Sequence, residues 1–203
     1  EKSFTARYLL AHDYFFLFAK PREALGILKP ALKLATLGIH FRNLYKINTL
    51  LDQLYVYFDD YENAAEQAHL IIESKNLATN ESLRVAHITL IYAYMKNGDF
   101  VAAKMETLEA NKLTGSNMYD CHLANAYSTA GYHSEAIDFS HAIMNRAGPK
   151  SPIYSYCLNT LADSLYALGK KDEAIEFYRE YLSVMKTSSR RDVFTVRRLE
   201  KAS

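Results

Sequence analysis

Cysteine is scarce in this chain of 203 residues, which has Cys121 and Cys157 alone. Two cysteines cannot build a disulfide framework, and their separation is not the CxxC spacing of a metal or redox site. They read as buried thiols packed as small hydrophobes, with a bridge between them left open. No charge of either sign is in excess, since 24 Lys and Arg face 23 Asp and Glu for a net of +1. That balance gives no electrostatic case for nucleic acid or an anionic surface as partner. Long hydrophobic runs are missing as well. The densest, YLLAHDYFFLFA at 8–19, contains His12 and Asp13 and is too short to cross a bilayer, and nothing resembles a cleavable signal. Seven Gly and four Pro fall between apolar-periodic segments, as expected of helices joined by short turns. No stretch alternates apolar and polar residues cleanly enough to require a strand. The expected fold is all-α, and 49% apolar content gives it a substantial core to bury.

Catalytic motifs are absent in the same way. There is no Gly-rich phosphate loop, HExxH, GxSxG or kinase set, and the glycines never cluster. His87, His122, His133 and His141 fall on successive helical segments without an i, i+4 pair. They read as core-edge or surface histidines, with His133 exposed at a turn, rather than as metal ligands. Asp59, Asp60 and Glu62 read as a solvated turn that complements a helix N-terminus. The chain is therefore expected to be no enzyme and to carry no cofactor or metal.

What is present is repetition. In ALGKKDEAIEFYREYL at 167–182, Gly169 precedes Ala174 by five residues, and the same frame returns upstream: Gly98 before Ala103, Gly131 before Ala136, Asp59 before Ala64 and Ala19 before Ala24. The anchors Ala24, Ala64, Ala103, Ala136 and Ala174 are spaced by 40, 39, 33 and 38 residues, inside the range of helical solenoids. Each position has a physical reason. A small anchor lets two helices approach closely, glycine frees the turn backbone, and aromatics fill the space beside the small residues. One hairpin cannot bury its own apolar face, so neighbours must stack.

These residues resemble the tetratricopeptide repeat. The last repeat reads Leu161, Ala162, Leu165, Gly169, Ala174 and Tyr178, with Tyr181 where a small residue is usual. The third reads Leu90, Tyr94, Gly98, Phe100, Ala103 and Ala110, and the fourth Leu123, Ala124, Tyr127, Gly131 and Ala136. In the first two, Ala19 and Asp59 replace the turn glycine, and Pro21 opens the second helix of the first repeat, where a missing N–H costs nothing. The resemblance implies a right-handed superhelical solenoid of about five hairpins, near 5–38, 45–78, 84–116, 117–150 and 155–188. A capping or connecting helix over 189–203 follows.

The resemblance also implies a concave groove lined by the first helix of each hairpin. Counted from the anchors, the groove takes Leu9, Asp13 and Phe16; Thr49, Gln53, Val56 and Tyr57; Ile88, Tyr92, Met95 and Lys96; Met118, Cys121, Asn125 and Ser128; and Tyr156, Asn159, Asp163 and Tyr166. The candidate binding set is Gln53, Tyr57, Tyr92, Lys96, Asn125, Tyr156, Asn159 and Asp163. Asn125 and Asn159 lead it, because an amide can grip an extended peptide by donor and acceptor without reading its sequence, while tyrosines supply area with a polar tip. The alternative for each Asn is solvation or a bond to the next hairpin. Lys46 and Lys96 are too few groove cations for the family's carboxylate clamp. Phe15, Tyr55, Tyr94, Phe100, Tyr127 and Phe177 fall at core positions rather than in an aromatic ligand pocket.

Three of the spacings exceed the family's usual length of about 34 residues. Such elongated repeats are similar to those of bacterial regulatory proteins. The implied function is a non-enzymatic scaffold for a protein or peptide segment, the sensory or interaction domain of a kinase or diguanylate cyclase regulator. The runner-up is the receptor domain of a peptide-pheromone-responsive transcriptional regulator. The tail TSSRRDVFTVRRLEKAS (187–203) carries five cations and two anions and reads as a terminal cap or a signalling helix. The abrupt start at Glu1 reads as an excised domain, which leaves the cytoplasm and the periplasm equally open. No direct nucleic-acid or membrane contact is expected. Self-association through a convex face or the tail stays open.

Overall fold

The computed structural model describes residues 2–34, 41–76 and 78–185. Among them there are ten helices and no strand: α1 (Lys2–Phe16), α2 (Pro21–Leu34), α3 (Phe41–Tyr57), α4 (Tyr61–Glu73), α5 (Asn80–Lys96), α6 (Phe100–Thr114), α7 (Met118–Thr129), α8 (His133–Ala147), α9 (Pro152–Ala167) and α10 (Lys171–Met185). The helix expected over 189–203 lies outside the described residues. The chain forms two compact units, Glu1–Asn97 and Gly98–Ser203. The first holds α1–α5 and the second α6–α10.

Local chemistry sets the helix ends. Asp60, Thr79 and Asp99 accept from the backbone N–H three residues on, at 3.3, 3.1 and 2.9 Å, and Ser151 accepts from the N–H of Ile153 at 3.2 Å. Each bond satisfies a donor that the helix itself leaves unpaired. Three of the turns inside the hairpins share one backbone solution. The residue after Asp59, Gly131 and Gly169 donates its N–H to the carbonyl five residues back, in Asp60 to Tyr55, Tyr132 to Tyr127 and Lys170 to Leu165 at 2.9–3.0 Å. That bond requires a left-handed residue in between. Gly131 and Gly169 supply it with φ of 91° and 80°, and Asp59 adopts it without glycine at 56°; Gly98 and Ala19 are left-handed too, at 76° and 51°, and beside Ala19 the Lys20 N–H donates to Tyr14, six residues back, at 2.7 Å.

In the first unit α1 packs on α2, α3 on α4, and α2 and α4 on the following first helices, so that α1, α3 and α5 lie in contact side by side. In the second unit α7 packs on α8 and α9 on α10, with α7 and α9 in contact. All five anchor alanines are 0% exposed. Around Ala24 close Leu28, Ala31, Ile47, Leu51 and Leu54; around Ala174 close Leu158, Leu161, Leu165 and Tyr178. Each buried leucine contributes roughly 1.5–3 kcal/mol relative to an exposed one. The aromatics at core positions pack there: Phe15, Tyr55, Tyr94 and Phe177 lie half-buried against these clusters, and Phe100 stacks on Tyr127 with centroids 6.0 Å apart. His133 is half-buried rather than exposed, because it is the first residue of α8 rather than part of the turn.

Candidate functional site

The candidate residues lie on the first helices of each unit. The eight candidate residues fall into two sets, four in each unit. In the first unit, α1, α3 and the start of α5 border an open cleft of about 370 Å³. Phe16, Thr49 and Gln53 line it, as does Lys46, while Tyr8 and Leu50 add apolar area and His12, Thr79, Glu81 and Ser82 complete it. Glu81 is held below the usual carboxylate range by Arg84, whose Nε donates to Oε2 at 2.8 Å. The cleft thus combines an apolar area, an amide, hydroxyls and charges of both signs.

One turn beyond Gln53 on α3, Tyr57 is 61% exposed, with its ring edge-on to Phe15 and Phe58 at 5.8 and 5.4 Å. Tyr92 and Lys96 stand one turn apart on α5. Tyr92 is half-buried, and the Lys96 ammonium lies 5.9 Å from the centroid of the Tyr61 ring. Met95, counted into the groove, is buried instead.

The second unit carries Asn125, Tyr156, Asn159 and Asp163. Asn125 Nδ2 donates to Thr160 Oγ1 at 3.1 Å, and its Oδ1 accepts from the Thr129 hydroxyl at 3.3 Å. Its amide bonds the next hairpin. Asp163 accepts from the Tyr178 hydroxyl at 2.6 Å and Asn159 is half-buried. Tyr156 is 52% exposed, its ring 5.4 Å from that of the buried His122. Cys121, counted into the groove, is buried against Cys157.

Sequence reasoning missed two features. One is a polar seam between neighbouring first helices: Thr89 on Asp52 in the first unit, and Asn125 on Thr160 and Ser164 on Ser128 in the second, at 2.8–3.1 Å. The partners lie 35–37 residues apart, one repeat period, and polar residues paired at that spacing are the signal that finds them. The other is a second cavity of about 650 Å³ bordered by α6, α7 and α8, where Asp120 accepts from Asn111 and Arg146 at 2.8 and 2.7 Å. Among the described residues no group of three His, Cys, Asp or Glu is placed to hold a metal ion, and no helix is long and apolar enough to cross a membrane.

Fold and candidate site together define a helical-repeat architecture. Residues 116–187 match the model of the tetratricopeptide repeat. The fold extends beyond that match. The chain is similar to the solved, nearly identical TPR-like repeats of Podosopora anserina, from a chain assigned as a kinesin light chain, with a TM-score of 0.58, 19% identity, and coverage of 92% of this chain and 97% of that one. A single-substitution variant of those repeats gives a TM-score of 0.61 at 19% identity, covering 94% and 99%. No curated protein sequence matches significantly. Repeats of this type generally mediate protein–protein interaction and are typically non-catalytic.

Proposed function

We propose that the protein is a scaffold without chemistry of its own, which binds an extended segment of a partner protein or peptide along its first-helix faces. The observation that carries this reading is the cleft of the first unit, where Phe16, Thr49 and Gln53 converge from α1 and α3. An extended segment brings amides that need partners and side chains that need apolar cover. Gln53 offers a donor and an acceptor, and Phe16 and Tyr8 offer rigid apolar area at low entropic cost. Lys46 and Glu81 favour a segment with charges flanking its apolar anchor. The elongated repeat spacing supports a place as the interaction domain of a bacterial signalling regulator of the kinase or diguanylate cyclase type.

The test is selection of binders from a displayed library of random peptides, followed by Phe16→Ala and Gln53→Ala in the purified protein. Both side chains are partly solvent-facing, so the variants should fold normally by circular dichroism. Each is expected to weaken the selected peptides about tenfold, corresponding to ~1.4 kcal/mol. Unchanged affinity in the folded double variant overturns the site. Reproducible turnover of peptides or nucleotides by the wild type overturns the non-enzymatic reading.

A further inference from the structure

Cys121 and Cys157 belong to neighbouring first helices, α7 and α9, and are 36 residues apart in the chain. The Cys157 thiol donates to Cys121 Sγ at 3.5 Å, and the Cys121 thiol in turn donates to the Ile153 carbonyl at 3.7 Å. Both are free thiols, 0–1% exposed, in the core that contains Ala124, Leu158 and Leu161. Packing alone asks for two small apolar groups here. Instead two sulfurs face each other across a repeat boundary, and a disulfide of about 2.05 Å requires them to close by roughly 1.5 Å.

We infer that Cys121 and Cys157 are a cross-repeat dithiol that a hydroperoxide converts to an intramolecular disulfide, stapling the fourth repeat to the fifth. Cys121 is the fourth residue of α7, whose cap Asn117 makes no side-chain bond; Ser116 and Asn111 instead accept from the N–H groups of Met118 and Tyr119, each at 3.2 Å. Oxidation requires this first turn to open and uncover Cys121, and helix ends are the least costly part of a helix to open. Cys157 is the sixth residue of α9. Its thiol is held protonated well above the usual range by the bond to Cys121 and then by burial, so Cys121 rather than Cys157 takes the first step.

First the Cys121 sulfur attacks the peroxide: an S–O bond forms, the O–O bond breaks, and the leaving oxygen departs with the thiol proton as water or alcohol. The Cys157 sulfur then attacks the Cys121 sulfenic acid. The S–S bond forms, the S–O bond breaks, and hydroxide leaves with the Cys157 proton as water. Two thiols are oxidised and one peroxide is reduced. The link closes a 36-residue loop and ties α7 to α9 beside the Asn125–Thr160 and Ser128–Ser164 bonds.

The experiment treats the whole protein with excess hydrogen peroxide and reads mass, thiols and melting temperature. Intact mass should fall by about 2 Da, the two hydrogens removed on forming the bond. Denatured thiol titration should drop from two per chain to none, and a digest should yield the Cys121 peptide joined to the Cys157 peptide, with reversal by dithiothreitol. The melting temperature should rise by about 5–10 °C. Cys157→Ser should stop at a Cys121 sulfenic acid that dimedone traps. Persistence of both thiols, oxygen adducts without the linked peptide, or a disulfide between two chains each overturns the inference.

Discussion

The Thr89 hydroxyl donates to Asp52 Oδ2 at 3.0 Å, in a carboxyl group that is 0% exposed, with Oδ1 buried and unbonded. Asp52 sits in the first unit, on the side of α3 that meets α5. Desolvation raises its pKa well above the ordinary carboxylate value, with the Thr89 bond opposing.

Stability of the first unit should therefore fall as pH rises. In the unfolded chain Asp52 ionises near pH 3.9, while the folded chain keeps the proton to higher pH. Its contribution is full below the unfolded value and is lost as pH climbs through the folded one. Asp52→Asn removes that linkage. Urea unfolding followed at pH 5 and pH 8 should show the variant gaining on the order of 1–2 kcal/mol at pH 8, with a flatter pH slope. An unchanged slope means Asp52 is ionised in the folded protein.

Ala19 and Asp59 hold left-handed backbone that glycine holds in the other repeats. For an L-residue this conformation costs roughly 1–2 kcal/mol, and less for Asp than for Ala. Ala19→Gly should stabilise by about 1 kcal/mol and Asp59→Gly by about half as much. Gly131→Ala should cost about 1 kcal/mol, through backbone strain alone, since an added Cβ there meets nothing within 4 Å. Thermal melts of the three variants give the ordering.

Thr160→Val removes the acceptor of Asn125 while keeping its shape. A net loss of about 0.5–1.5 kcal/mol is expected, and a double-mutant cycle with Asn125→Ala should return most of it as coupling. If Asn125 also grips a ligand, Thr160→Val removes one contact that competes for its amide, and affinity for peptides selected on the protein should hold or rise while Asn125→Ala lowers it.

The anchors leave no room. Ala136→Leu and Ala174→Leu should each destabilise by about 1–3 kcal/mol through overpacking, whereas Asp99→Ala, which deletes a cap of α6, should cost about 1 kcal/mol. Chemical denaturation separates the two classes. Equal small effects would show that the hairpins tolerate wider spacing than the buried anchors indicate.

Much of the fold was legible because single residue types carry it. An anchor must be small to let helices close, and a left-handed turn favours glycine, so Ala103, Ala136, Ala174 and the glycines before them stand out in the chain. The candidate site was legible only in part. Counting from the anchors brought Gln53 and Thr49 to the cleft, but it also put Met95 and Cys121 on the open face, where both are buried. It left open whether the Asn125 amide faces a ligand or the next hairpin, where Thr160 takes it, and it did not bring His12 into the cleft with Gln53. Those facts depend on how one hairpin is rotated against the next.

The sequence by itself determined that the chain is a row of helical hairpins, because helix periodicity, caps and small anchors act within a few residues of themselves. Only the tertiary structure decided which polar groups stay available to a partner and which are used up between repeats. Asp52 and Thr89, Asn125 and Thr160, and the two thiols lie 35–37 residues apart. Pairing at that distance is set by side-chain packing between hairpins, where a rotation of one helix moves a residue from an open face into a seam.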